Sequence, residues 1–444
     1  MIQLAGWGRY PRHDSEWIEA SAPADVPDLL SGHTGLVTRG NGRAYGDAAV
    51  GERITLSTLG LDRFRSFDPA SGRLTVEAGV LLADILAAFV PRGFFPPVVP
   101  GTKFVTVGGM IAADVHGKNH HRHGGFGAHV EELTLVAPEG HTIACSRAEN
   151  AELFAATIGG MGLTGTIVDA TFRLNRIETG WMCQRTLVAN DLDAAMAALQ
   201  ETATATYSVA WIDCLAHGAS LGRSLVYAAE HAAREEVAAL RPGAELFPPL
   251  RPGHLRVPLD VPAGLLNRAS MRAFNELYFR RGARKAGDPF LVHWEPYFFP
   301  LDGIGDWNRI YGRHGFLQYQ CVVPPAAARQ TLGEILDRIS RHGSASFLAV
   351  LKQLGGSAGI VSFPMEGFTL ALDLPVTPAV LALLDALDRV VAAAGGRLYL
   401  AKDARQSPAT FEAGYPGLAA FRDIRRAIGA DGRIASRLSS RLGI

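Results

Sequence analysis

Between Asp114 and His123 the chain reads DVHGKNHHRH, which gathers His116, Lys118, Asn119, His120, His121 and His123 into one short stretch. Imidazoles, an ammonium and a carboxamide at that density supply hydrogen bonds, positive charge and groups able to move a proton. Three readings of these residues stay open. His116 and His120 stand four apart and would share a helix face as metal ligands, but Gly117 and the Gly124-Gly125 pair oppose a regular helix. A His-rich stretch is also compatible with a solvated surface loop. The third reading is a loop lining a cofactor or substrate pocket. Just upstream, Gly108-Gly109 follows the β-branched run Val105-Thr106-Val107, read as a short strand or turn entry. The glycine pair allows positive φ or the close approach of a ligand where a Cβ would intrude. Met110 to Ala113 then reads as a small-residue helical turn.

Other stretches carry the same kind of chemistry. RGNGRAYGD, Arg39 to Asp47, places glycines at 40, 42 and 46 after a short strand, as a phosphate cradle or as a plain turn. A dinucleotide fingerprint needs a helix directly after its glycines, yet Arg53 to Ser57 reads as a strand, and no GxxxxGK[ST] occurs. Gly159 to Gly165 is a second glycine-rich turn. In Phe316 to Val323, period-two alternation puts Gln318 and Gln320 on one face, where two amides would hydrogen-bond a ligand. Lys352 and Lys402 each stand at the end of a predicted strand. Several backbone segments approaching one extended polar ligand would account for the three glycine and histidine segments within the first 165 residues.

The elements that must position these groups read as an α+β chain. Strands at 36–38, 53–57, 73–79, 130–136, 141–144 and 166–174 alternate with helices at 82–90 and 152–157. Beyond about Gly180 the texture changes, and a domain boundary is placed there. The following part, with helices at 191–205, 265–280, 326–341 and 378–394 and strands at 207–215, 224–229, 289–299, 316–323, 346–353 and 368–374, resembles an antiparallel sheet with helices on one side. A strand over 396–401 and helices around 418–427 and 433–442 complete the chain. Residues 241 to 262 are rich in Pro and Leu without periodicity and read as a long loop.

Composition excludes several classes. At 444 residues, with domains of roughly 100 to 200 residues, two or three domains are expected. No stretch reaches the roughly 18 uncharged apolar residues of a membrane span, and no basic n-region precedes an apolar run, so a cytoplasmic protein is expected. Lys+Arg and Asp+Glu both number 43, which leaves no global excess to hold a nucleic-acid backbone. Cys145, Cys183, Cys214 and Cys321 lie far apart and read as reduced, mostly buried thiols.

Taken together, RGNGRAYGD, VPGTKFVTVGG (99–109), DVHGKNHH (114–121), FAATIGGMGLTG (154–165), FLQYQ (316–320) and YLAKDAR (399–405) resemble the flavin-dependent decaprenylphosphoryl-β-D-ribose 2′-oxidases over nearly the whole chain. The glycine segments alone match the wider vanillyl-alcohol-oxidase, or PCMH-type, FAD superfamily. The resemblance implies an FAD domain split between residues 1–180 and 397–444, around a substrate domain at 181–396. It implies that Arg39, Gly40, Asn41, Gly42, Arg43, Tyr45, Gly46 and Asp47 wrap the FAD pyrophosphate, and that Gly101, Thr102, Thr106, Gly108, Gly109, Asn119, His121, Gly162, Gly165 and Lys402 line the flavin. Tyr45, Lys118, Gln318, Gln320, Lys352 and Tyr399 would face the substrate, with Lys402 and His116 catalytic and no metal involved. Arg43 stands where the superfamily often carries a flavin-linked His, so noncovalent FAD is implied.

The implied reaction is oxidation of the 2′-hydroxyl of a polyprenylphosphoryl-β-D-ribose to the 2′-keto sugar, the first half of a ribose-to-arabinose epimerisation that an NAD(P)H-dependent short-chain reductase would complete. An FAD-dependent alditol or aldonolactone oxidase is the alternative. Phe298 and Phe299 replace a Tyr-His pair of the family, and Ala371 replaces an active-site cysteine, so this pocket is less polar. A lipid-linked sugar gives the 241–262 loop a role as a peripheral membrane contact, through Leu246, Phe247, Leu250, Leu255, Val257, Leu259 and Val261 with Arg251 and Arg256; an ordinary ordered loop is the other reading.

Overall fold

The computed structural model describes every residue except 251–254, 263–266, 344–345 and 347. Three sheets organise it. Ile2–Ala5, Arg12–Glu19, Ile54–Ser57 and Leu36–Arg39 lie in that spatial order, with Ile54–Ser57 parallel to both its neighbours. Phe64–Asp68, Arg73–Glu77, Thr166–Arg173, Val130–Val136 and Thr142–Ser146 form an antiparallel sheet. The largest sheet is antiparallel and eight-stranded: Phe290–His293, Trp181–Ala189, Ser224–His231, Tyr207–Ile212, Ala349–Leu354, Gly367–Pro375, Phe316–Val323 and Arg397–Leu398.

Strand period decides what each face of the large sheet does. Tyr319, Cys321, Leu370 and Leu372 share a core with residues of the helices Leu192–Glu201, Pro325–His342 and Pro378–Ala393. The alternate positions carry polar groups. Gln318 opposes Asp373, Gln320 opposes Ala371 and Lys352 opposes Thr369, and directly opposed residues of antiparallel strands point to the same side. The expected antiparallel sheet is therefore present, with these three helices on one face and, around Gln318, Gln320 and Lys352, polar groups on the other.

Residues 433–437 return to the first sheet. The Leu36 amide donates to Arg433 O at 3.0 Å, the Ala435 amide to Leu36 O at 2.9 Å and the Arg437 amide to Val50 O at 2.8 Å. Arg441 then pairs with buried Asp47 at 2.9 Å and with Asp403 at 3.0 Å.

Three sequence expectations change. Val105 to Val107 is no strand: the Thr106 hydroxyl accepts from the Gly109 amide at 3.2 Å and caps the helix Val107–Ala112, with both glycines in its first turn and neither at positive φ. The stretch 289–299 breaks into the strand Phe290–His293 and the helix Trp294–Phe298, because the His293 ring accepts from the Glu295 amide and Pro296 is tolerated in a first turn. Only Arg397–Leu398 of the expected 396–401 strand pairs, since the Lys402 amide turns back to Tyr399 O at 2.9 Å. The described residues of the 241–262 loop bond to the rest of the chain: Leu246 O accepts from the Gly180 amide at 2.8 Å, Glu245 O accepts from Trp181 Nε1 at 2.8 Å, and Leu255–Arg256 pairs with Ile304–Gly305. Leu246 and Phe247 pack inward, Leu250, Leu255 and Leu259 stay exposed, and Arg251 lies outside the described residues.

Candidate active site

A deep cavity runs between the glycine-rich turns and the polar face of the large sheet. One end is walled by Gly40, Asn41, Gly42, Arg43, Thr106, Gly108, Gly109, Gly162 and Gly165, and Gly101 and Thr102 continue the wall. The other end is walled by Tyr45, His116, Gln318, Gln320, Lys352, Ala371, Tyr399 and Lys402. These nineteen positions, all singled out from sequence, thus converge from seven separate stretches of chain.

The first end is shaped for a ligand with phosphates. A Cβ on Gly40 would meet Thr106 Oγ1 at 2.1 Å, and Gly42 has φ +61°, so neither position accepts a side chain without displacing its neighbours. Among the described residues, the amides from Gly40 to Ala44 donate to no protein acceptor, whereas the Tyr45 amide is used by Ala401 O at 2.9 Å. Successive free amides in a tight turn make an anion-binding concavity. Asn41 Nδ2 donates to Phe104 O at 2.8 Å and ties this turn to the 100–106 segment. The buried Nε of Arg43 has no partner, and its guanidinium lies 3.9 Å from the Trp7 ring centroid. These features fit FAD.

At the second end, three cationic or titratable side chains meet two amides. Gln320 Nε2 lies 3.0 Å from His116 Nε2, and Lys352 Nζ lies 3.1 Å from His116 Nδ1. A neutral imidazole has one acceptor nitrogen and one N–H, so both contacts are satisfied only if Gln320 presents its carbonyl oxygen or Lys352 is unprotonated. Burial, then the Lys352 charge, holds His116 well below the usual imidazole range, which keeps the ring neutral. Burial brings Lys352 down to about 8. Lys402 Nζ lies 3.8 Å from the Tyr45 ring centroid. Burial depresses Lys402 and the Asp373 carboxylate opposes that shift. The same burial raises Asp373, whose Oδ1 accepts from Gln318 Nε2 at 2.6 Å. The Tyr399 hydroxyl donates to Ala113 O at 2.8 Å and its ring stacks on Phe363 at 4.5 Å, which fixes one side of the His116 pocket.

Six predicted positions stand behind the wall. The Arg39 guanidinium donates to Ala5 O and Ala49 O and braces the turn. Gly46 lies so close to Asp403 that a Cβ would come within 1.7 Å of its carbonyl oxygen, and Asp47 pairs with Arg441. Lys118 donates to Tyr297 O and sits 4.0 Å from that ring centroid, with burial bringing it down to about 7. Asn119 donates to Pro97 O at 2.8 Å, and His121 bonds Ala205 O at 3.0 Å. His120 accepts from the Gly355 amide at 3.0 Å, so of the His-rich stretch only His116 reaches the cavity. Among the described residues, no three His, Cys, Asp or Glu side chains gather as metal ligands. The four cysteines are free. Sequence reasoning missed Trp7, Asp302 and Asp373. The first two lie in loops without a pattern, whereas Asp373 left a signal: a lone carboxylate at an alternate position of the apolar strand Gly367–Pro375.

A family model for an FAD binding domain matches residues 30–146, the span that contributes most of the glycine wall. Fold, cavity and match together define an FAD-dependent oxidoreductase. A decaprenylphosphoryl-β-D-ribose oxidase from Mycolicibacterium smegmatis is 36% identical over 99% of this chain and 97% of its own length. The chain belongs to that oxidase family. An uncharacterized Streptomyces coelicolor protein is 38% identical over 82% of this chain and all of its own length. An L-gulonolactone oxidase from Mus musculus is 28% identical over 44% of this chain and 46% of its length.

Proposed function

We propose that this protein oxidises the 2′-hydroxyl of a polyprenylphosphoryl-β-D-ribose to the 2′-keto sugar. The observation that carries the reading is the meeting of Lys402, Lys352, His116, Gln318 and Gln320 at one end of a cavity whose other end is a glycine-walled anion cradle. Bound FAD supplies the acceptor for the hydride that leaves the sugar carbon. Gln318 and Gln320 orient sugar hydroxyls, Gln318 being held by Asp373 and Gln320 by Thr369 at 3.2 Å. Lys402 meets the developing charge on the substrate oxygen, because its desolvated ammonium faces the cavity and none of the described residues accepts a hydrogen bond from it. His116, held neutral, accepts a proton or a hydrogen bond from the same hydroxyl.

FAD is held without a covalent bond, Arg43 standing in the turn where a linking His would be. Residues 1–180 and 397–444 act together as the FAD-binding unit and 181–396 as the substrate unit, supported by the contacts of Leu36, Val50 and Asp47 with 433–441. No helix of the described residues is long and apolar enough to cross a membrane, and the protein works in the cytoplasm as a peripheral visitor to the bilayer. A short-chain reductase using NAD(P)H consumes the keto sugar to complete the epimerisation.

The test is anaerobic mixing of the holoprotein with a short-chain polyprenylphosphoryl-β-D-ribose. Bleaching of the flavin absorbance with formation of the keto sugar is expected. Bleaching by soluble alditols or aldonolactones alone would overturn the reading.

A further inference from the structure

The helix Arg268–Ala283 lies on the cavity side of the eight-stranded sheet. Strand register establishes this: Gln320 opposes Ala371, Ala371 opposes Val350, Val350 opposes Trp211 and Trp211 opposes Leu225, so all five point to one side. The helix sits on the last two. Gly282 packs so tightly on Leu225 that a Cβ would come within 2.2 Å of its Cδ1, and the Tyr278 ring lies 4.7 Å from Trp211. Just past the helix, Lys285 lines an outer groove that shares Trp7, Arg43, Asp302 and Trp307 with the main cavity. The helix therefore stands beside the entrance.

Its outward face is unusual for a solvated helix. Phe274, Leu277 and Tyr278, at i, i+3 and i+4, are 43%, 68% and 38% exposed and form one stripe. Leu255, which lines the outer groove, is 67% exposed. Flanking the stripe, exposed Arg268, Arg272, Arg280, Arg281, Arg284 and Lys285 stand against one carboxylate, Glu276. Glu276 is already paired with Arg223 at 2.8 Å and Arg280 at 2.5 Å. In a chain whose charges balance overall, this is a concentrated positive patch around apolar side chains.

We propose that this helix is the surface by which the protein docks on an anionic lipid bilayer. The apolar stripe enters the headgroup boundary while the arginines and Lys285 meet lipid phosphates, a combination in which apolar burial and charge attraction add. A second copy of this chain is a poorer occupant, because pairing the patch with itself would bring two cationic surfaces together. Docking there sets the outer groove toward the membrane, so a headgroup reaches the cavity while its chain stays in lipid. The purpose of this surface rests on the lipid-linked substrate proposed above; its geometry does not.

The test uses FAD-loaded full-length protein and sedimentation with vesicles of phosphatidylglycerol and phosphatidylcholine, against phosphatidylcholine alone. Wild type is expected to sediment with the anionic vesicles and to be released by high salt. Phe274→Ser with Leu277→Ser, and separately Arg281→Glu with Arg284→Glu, are each expected to lower the bound fraction by about tenfold or more. Both variants keep FAD and the wild-type rate of flavin reduction by a water-soluble phosphoribosyl substrate. Absence of binding to anionic vesicles, or unchanged binding in both variants, overturns the proposal. So does a wild-type dimer that the variants split without altering vesicle binding, which assigns the surface to self-pairing. Failure of the soluble substrate to reduce wild-type flavin counts against the oxidase reading and leaves the vesicle result to stand by itself.

Discussion

At the scale of single residues, the proposed chemistry rests on buried cationic groups in the cavity wall. Lys402 is desolvated, placed over the Tyr45 ring and balanced by Asp373 behind Gln318. Lys402→Ala is expected to retain FAD yet to slow flavin reduction by roughly 2.7 to 4 kcal/mol of transition-state stabilisation, the size of one lost oxyanion donor. Stopped-flow reduction near the wild-type rate in a flavin-replete variant would remove Lys402 from the chemistry. Lys352 makes a pH prediction with a definite sign. Its ammonium is present below its lowered value of about 8 and lost above it, whereas a phosphodiester keeps its single charge throughout. Affinity for a phosphoribosyl analogue should weaken as pH rises through 8, and Lys352→Met should flatten that dependence. Titration of the flavin spectrum at several pH values checks this, and a pH-independent wild type would exclude a contribution of the Lys352 charge to binding.

At the scale of elements, the cavity depends on close joins between segments distant in sequence. Arg441, in the helix Arg437–Leu442, bridges buried Asp47 of the glycine turn and Asp403, the neighbour of Lys402. Removing one partner of a buried ion pair leaves an uncompensated charge, at a cost of about 3 kcal/mol or more. Arg441→Ala is therefore expected to lower the unfolding midpoint and to loosen FAD, because the cradle and the Lys402 turn lose their common brace. Denaturant unfolding followed by flavin fluorescence measures both at once, and a wild-type midpoint would show that backbone contacts suffice. The histidine stretch illustrates the same dependence. Its short helix His120–His123 is held by bonds to Gly355 and Ala205, so its rings fasten the glycine-rich part of the chain to the large sheet while His116 alone faces inward.

At the scale of the whole molecule, the proposed cofactor site is assembled from residues as far apart as Gly40 and Lys402 and from no single binding element. A cofactor clasped in this way is released when the chain unfolds, unless one covalent bond survives. Acid precipitation of the yellow holoprotein should leave the flavin in the supernatant, in keeping with Arg43 in the first glycine turn. Flavin in the pellet would point to a linking His instead, with the 116–123 stretch the first place to look.

Much of this was legible in the sequence for local reasons. Glycines at 40 and 42 stand where a side chain has no room, Gln318 and Gln320 share a face because strand period is two, and the long helices Pro325–His342 and Pro378–Ala393 follow from apolar residues at helical spacing. Packing decided the rest. The strand expected over 396–401 stops at Leu398, because the turn through Lys402 and Asp403 bonds back on itself and is braced by Arg441. Lys118, indistinguishable in sequence from its neighbour His116, turns away to Tyr297, while Asp373 comes to lie behind Gln318. Period and steric room act between near neighbours and can be read from the chain alone; which buried charge meets which partner depends on contacts across hundreds of residues, and only the folded structure supplies them.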